Sequence, residues 1–161
     1  MERQRLDQEL RRPLQSRTMA VNSLKSSCGA LIYCTKTHRY LFLLRNGSKF
    51  PNTWGIVGGK VELNESVLDG LLREIREELG GEIKGARVVP IEQYTSEHNN
   101  FVYHTFLIKV DEEFIPELNN EHKGYCWVKL DDYPKPLHPG VYRTFKFAAT
   151  REKIKVLEQL S

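Results

Sequence analysis

Apolar positions along the chain change their spacing, and each change marks an element. Ala30-Leu31-Ile32-Tyr33 and Tyr40-Leu41-Phe42-Leu43-Leu44 are unbroken apolar runs around the polar connection Thr35-Lys36-Thr37-His38. Such a pair predicts two strands joined by a turn in a buried sheet. From Val67 the spacing becomes helical: at about 100° per residue, Val67, Leu68, Leu71, Leu72, Ile75 and Leu79 share one core-facing arc. Ser66 ahead of Asp69 is a capping-box signature, and Gly80-Gly81 supplies left-handed positions that end a helix. A helix over Val67–Leu79 follows.

Strand-like stretches resume at Glu82-Ile83-Lys84 and Ala86-Arg87-Val88-Val89, with Pro90 as their bound. Ile91 to Ser96 and Phe101 to Val110 then read as a hairpin around Glu97-His98-Asn99-Asn100. Both faces of the second strand are partly apolar, which suits a sheet lying between two layers. A further strand with an inward Trp127 precedes the proline-punctuated loop Asp131 to Gly140, and Val141 to Leu160 has the spacing of a terminal helix. Residues 1–26 differ from the remainder: they are charge-rich and poor in apolar positions, and Pro13 interrupts any helix. They read as a flexible or marginally helical basic arm, with Met19 as an alternative start, and residues 27–161 read as the folded domain.

Composition narrows the function. At 161 residues the chain suits a single domain. A net charge of +3 and a pI of about 8.7 are compatible with anionic ligands but too weak to argue for nucleic acid by themselves. No run approaches the ~18 apolar residues of a membrane span, and the opening lacks the apolar core of a signal peptide. Cys28, Cys34 and Cys126 are odd in number and have no metal-ligand spacing. They read as reduced core thiols of a cytoplasmic protein.

The candidate chemistry lies on the helix at 67–79. Glu74, Glu77 and Glu78 are mutual neighbours there, and like charges at that spacing repel. Converging carboxylates offer hard oxygen ligands to Mg²⁺ or Mn²⁺. The plainer reading is a solvated helix face, partly neutralised by Arg73 and Arg76. His98 and His104 have no partner at metal spacing and read as loop and core residues.

Gly59, Glu65, Arg73-Glu74-Ile75, Glu77-Glu78 and Gly80 stand at spacings similar to the signature of the Nudix hydrolases. Trp54-Gly55 and Gly58-Gly59 also resemble the family's lead-in. The chain departs from the pattern at Gly81, where the family has an aliphatic residue, and at Val57, where many members have proline. The resemblance implies an α/β/α sandwich with a mixed sheet, and hydrolysis of a nucleoside diphosphate linked to a variable group. It implies that Glu74, Glu77, Glu78 and the Gly59 carbonyl hold Mg²⁺ or Mn²⁺ for activation of water. Arg73 with Glu65 would orient the signature loop against the helix.

The same resemblance makes Glu121, ahead of Glu97, the first candidate for a general base or extra ligand, against the alternative of a surface-loop acid. Arg45 becomes a candidate for phosphate contact, against a solvated strand end. Trp54 is either a base-stacking residue or a core anchor, and His138 on the proline-rich loop is a candidate substrate contact. The expected partner is a small nucleotide: a (d)NTP, nucleotide sugar, ADP-ribose, FAD or dinucleoside polyphosphate. A homodimer is compatible with this reading. The competing function is a non-catalytic nucleotide sensor whose basic arm recruits RNA or a protein partner.

Overall fold

The computed structural model describes residues 24–160. The arm expected at 1–26 lies outside the described residues except for its last three positions, and Lys25 and Ser26 already belong to the first strand. The strands are β1 (Lys25–Cys34), β2 (Arg39–Arg45), β3 (Trp54–Gly55), β4 (Val57–Lys60), β5 (Arg87–Thr95), β6 (Phe101–Val110) and β7 (His122–Val128). The helices are α1 (Val67–Leu79), α2 (Pro139–Lys146) and α3 (Ala148–Gln159).

The seven strands form one mixed sheet. β1 runs parallel to β6 along its whole length, Lys25 opposite Phe101 and Cys34 opposite Val110. Its other edge is shared: Ile32–Cys34 pair antiparallel with β2, while Ser27–Ala30 pair antiparallel with β4. β2 likewise leaves β1 and takes β3 at Leu43 and Leu44. The segment 54–60 is therefore wedged between β1 and β2 where they part. That wedge delivers Gly58 and Gly59 to the end of the sheet beside α1.

Side chains alternate along each strand, so the two faces of the sheet build separate cores. Cys28, Ala30, Ile32, Leu41, Leu43, Ile108 and Trp127 pack with Leu71, Ile75 and Leu79 of α1. Leu31, Tyr33, Tyr40, Phe42 and Leu107 pack on the opposite face with Val141 and Phe145 of α2 and Ile154 of α3. Each fully buried leucine, isoleucine or phenylalanine among them contributes roughly 1.5–3 kcal/mol. The two-layered cover is the α/β/α arrangement that the apolar faces of β6 implied.

The caps fix α1 at the bounds expected from its sequence. Ser66 Oγ accepts the Asp69 amide at 3.0 Å, and Gly80 closes the helix with φ 84°, its amide donating to the Arg76 carbonyl at 3.1 Å. The buried arc differs from expectation. Leu68 and Leu72 are 44% and 38% exposed, whereas Gly70, Leu71, Glu74, Ile75, Glu78 and Leu79 are buried. The helix is rotated so that two carboxylates, not two leucines, face the sheet.

Two further expectations are corrected. Pro90 lies inside β5, next to a register irregularity between Pro90 and Glu92. It is tolerated because β5 is an edge strand, where a missing N–H need not break a ladder. The terminal helix is two helices, broken at Phe147, whose backbone is extended (φ −79°, ψ 116°). His138 caps α2, and Pro139 occupies its first turn, where the absent N–H costs nothing.

Candidate active site

The end of the sheet beside α1 carries an open cleft of about 420 Å³. Glu74 and Glu78 stand one helical turn apart and enter it from α1, and Glu121 enters from the loop before β7. Carboxylate oxygens of these three lie within 4.8 Å of one another. Glu74 and Glu78 are 8% and 2% exposed, so their mutual repulsion is poorly screened. Burial pushes the Glu78 carboxyl up to about 9, with Glu74 and Glu121 adding to the shift, and burial raises Glu74 as well. Glu78 Oε2 has no hydrogen-bond partner.

Around this cluster the signature loop is tied down by one arginine. Arg73 Nη2 donates to Glu65 Oε1 at 2.8 Å and Nε donates to Glu65 Oε2 at 3.2 Å, a two-pronged contact. Nη2 also donates to the Lys60 carbonyl at 2.8 Å, and Nη1 donates to Glu74 Oε1 at 2.9 Å. Glu65 Oε1 in turn accepts the Glu62 amide at 2.6 Å. These bonds hold the guanidinium above its usual range and the Glu65 carboxyl below its own. Arg73 thus fixes loop, helix and the Glu74 carboxylate in one arrangement. Gly59 lies directly over that carboxylate, and a β-carbon at position 59 would collide with it.

Other expected residues take different places. Glu77 stands on the exposed side of α1, outside the 4.8 Å cluster, with Oε2 3.4 Å from Arg73 Nη1. The Gly59 carbonyl faces the Cys28 thiol at 3.8 Å. Arg45 lines the cleft, and its Nε donates to the Lys49 carbonyl at 3.1 Å. Trp54 packs against the α2 core and does not line the cleft; its amide donates to the Pro136 carbonyl and its carbonyl accepts the His138 amide. His138 lines a second, apolar cavity of about 190 Å³ on the opposite face of the sheet. The cavities approach each other at Gly55, where a β-carbon would lie 3.8 Å from His138 and 3.9 Å from Arg45.

Sequence reasoning passed over His122, Lys49 and Lys60, all of which line the cleft. His122 is 6% exposed, and its Nδ1 lies 3.6 Å from Glu78 Oε2 without a hydrogen bond. Burial lowers its pKa to about 4, with the charge of Arg45 acting in the same direction. No metal spacing marks His122; its adjacency to Glu121 was the available signal. Three carboxylates around an unpartnered buried oxygen fit a hard divalent cation, because such an ion supplies the positive charge that the cluster lacks.

A family model of the NUDIX domain matches residues 24–148. The chain belongs to the Nudix family. It is 33% identical over 93 residues to the nucleoside triphosphatase NudI of Escherichia coli K12; the match spans 52% of this chain and 66% of that protein. A MutT NUDIX hydrolase from Burkholderia pseudomallei is similar in structure, with 26% identity and a TM-score of 0.59 over 77% of this chain and 97% of that one. The fold is also shared with the Nudix hydrolase RenU of M. smegmatis, at 21% identity and a TM-score of 0.70 over 84% of this chain and 89% of that one. Among the described residues no helix is long and apolar enough to cross a membrane.

Proposed function

We propose that the chain is a divalent-metal-dependent pyrophosphohydrolase that cleaves the diphosphate linkage of a nucleoside diphosphate derivative. One observation carries the reading: the buried Glu78 carboxyl, with an unpartnered oxygen, clustered with Glu74 and Glu121. Such a group costs several kcal/mol in ionised form unless a cation compensates it. Glu74, Glu78 and Glu121 would hold the ion, while Glu77, on the exposed side of α1, and the Gly59 carbonyl, facing the Cys28 thiol, would have to turn toward it to add oxygens. Mg²⁺ or Mn²⁺ bound there would neutralise diphosphate charge and lower the pKa of a water.

The chain's own residues do the rest. Arg45, Lys49 and Lys60 line the cleft and give it positive charge for phosphate oxygens. Arg73 holds Glu74 in place through the bonds it makes to Glu65 and Lys60. Glu121, exposed and on a loop, is free to turn toward a water as ligand or base. The nearby apolar cavity gives the nucleoside end of the substrate a place beside His138. One water is consumed, and the products are a nucleoside monophosphate and the phosphorylated remainder, which is pyrophosphate when the substrate is a triphosphate.

Phosphorus NMR of (d)NTPs, ADP-ribose, FAD, dinucleoside polyphosphates and nucleotide sugars, with Mg²⁺ or Mn²⁺, tests this directly. Selective consumption by the native chain, lost in Glu78→Gln, is the expected result. Binding without consumption would replace the hydrolase with a nucleotide sensor.

A further inference from the structure

The apolar cavity on the α2 face is walled by Leu31, Ile56, Phe101, Tyr103, Val141 and Phe145. Its other lining includes Thr105, Thr144, His138 and Arg143, and the hydrogen bonds of these residues give the cavity a direction. Glu92 of β5 binds the threonines. Its Oε1 lies 2.8 Å from Thr144 Oγ1 and 3.5 Å from Thr105 Oγ1, while its Oε2 lies 3.1 Å from Thr150 Oγ1. The other neighbour of Thr144 Oγ1 is the Gly140 carbonyl at 3.2 Å. A carboxylate and a carbonyl only accept, and a hydroxyl has one hydrogen to give. The hydrogens of Thr105 and Thr144 are thereby committed, and what remains on each oxygen for a ligand is a lone pair.

His138 and Arg143 are polarised the other way. His138 Nδ1 accepts the Gly140 amide at 3.0 Å, so the neutral ring carries its hydrogen on Nε2 and donates there. Arg143, held 3.4 Å over the ring of Tyr94, can only donate. A flat ring in this cavity meets acceptors from the threonines and donors from His138 and Arg143.

Building on the hydrolase reading of the neighbouring cleft, we propose that this cavity takes the substrate's base and selects a 6-aminopurine or 4-aminopyrimidine over its oxo counterpart. The exocyclic amine gives hydrogens to Thr105 and Thr144, and the adjacent ring acceptor receives one from His138 or Arg143. In hypoxanthine or uracil an oxygen replaces the amine and faces the threonine lone pairs. Glu92 is the positioning residue, since it touches no ligand and acts by turning the hydroxyls.

Pairs that exchange the amine for an oxygen, and with it the adjacent ring acceptor for an N–H, test the match: AMP against IMP and CMP against UMP, titrated calorimetrically into the metal-free full chain. ATP against ITP and dCTP against dUTP, as substrates with Mg²⁺, read the same difference in kcat/KM. The amino member of at least one pair is expected to bind and react about tenfold better or more, the scale of a buried hydrogen-bonding group left facing its own kind. Thr144→Val should lower the ratio with Mn²⁺ affinity unchanged, and Thr144→Ser should restore it. Glu92→Gln, whose amide can donate to Thr144 and free its hydrogen, should also lower the ratio. Equal binding within both pairs, a preference for the oxo member, or no binding of any monophosphate overturns the proposal. Amino-selective binding with no turnover of any triphosphate supports the cavity and counts against the hydrolase reading alone.

Discussion

The two cavities at opposite faces of the sheet are built on different plans. The cleft beside α1 draws Gly58 to Lys60, Glu74 and Glu78 from one continuous stretch, and adds Arg45, Gly47 to Lys49 and the pair Glu121-His122. The apolar cavity gathers residues from Leu31 to Phe145, on β1, β6, α2 and the connections at 56 and 138. The difference follows from what each must hold. Charges around a cation need fixed spacing, which one helical turn supplies locally, whereas a largely apolar cavity needs complementary shape and a few placed polar groups, which distant elements can share.

The sharpest way to break the comparison is at Glu78. Glu78→Gln keeps the shape and removes the buried acid, so turnover should fall about a hundredfold to a thousandfold, the scale of losing one charge-stabilising group. Chemical denaturation of the metal-free variant at pH 8 should show no loss of stability, because burial already disfavours the ionised carboxylate it replaces. A rate within a few-fold of the native chain would remove Glu78 from the chemistry. Gly59→Ala approaches the same site from the other side: a β-carbon at position 59 collides with the Glu74 carboxylate. Its turnover should fall with Glu78→Gln, while AMP and CMP binding at the opposite face stays intact.

Smaller effects are expected from residues that hold the ligands. Arg73→Lys keeps the charge but cannot make the two-pronged contact with Glu65 while also reaching Lys60 and Glu74. Mn²⁺ affinity, read by electron paramagnetic resonance without substrate, should weaken about tenfold to a hundredfold. His122→Ala removes the ring whose Nδ1 lies 3.6 Å from Glu78 Oε2 and should cost about tenfold in the same titration. Unchanged Mn²⁺ binding in both variants would mean that the ligands need no support from either residue.

The same contrast explains what could be read from the sequence. The bounds of α1 were legible because Ser66, Asp69 and Gly80 act within a few residues of the helix they end. Spacing also placed three glutamates together, but it could not say how α1 would roll against β4. Contact with Gly59 buries Glu74, and the same roll buries Glu78 and leaves Glu77, Leu68 and Leu72 outward. Glu121 came from resemblance, and nothing in its local sequence shows that its loop folds back to α1. Pro90 looked like a strand end because edge position, which makes it tolerable, is a property of the sheet order. The hydroxyl network of Glu92 joins residues 52 and 58 positions apart and left no local trace.

A slope of stability against pH also separates the two cavities. Glu78 has a folded pKa raised to about 9, and Glu74 is raised as well, so the folded metal-free protein keeps protons that the unfolded chain has released. Stability from these acids is full below their unfolded value of about 4.3 and is lost as pH rises toward 9, at no more than about 1.4 kcal/mol per unit and group. Burial lowers His122 to about 4, and lowers His104 and His138, so these rings favour folding as pH rises through their unfolded value. Between about pH 4.5 and 6.5 the acids and the histidines oppose one another, and above about 6.5 only the acids remain. Denaturation midpoints of the metal-free chain should therefore vary little in the lower window and decline from pH 6.5 to 9. In Glu78→Gln the decline should flatten, while Thr144→Val, on the other face, should leave the native slope; a slope that follows Thr144 instead would place the titrating group in the apolar cavity. Saturating Mn²⁺ should raise the midpoint more at pH 8.5 than at pH 6, because the ion and the proton compete for the same carboxylate.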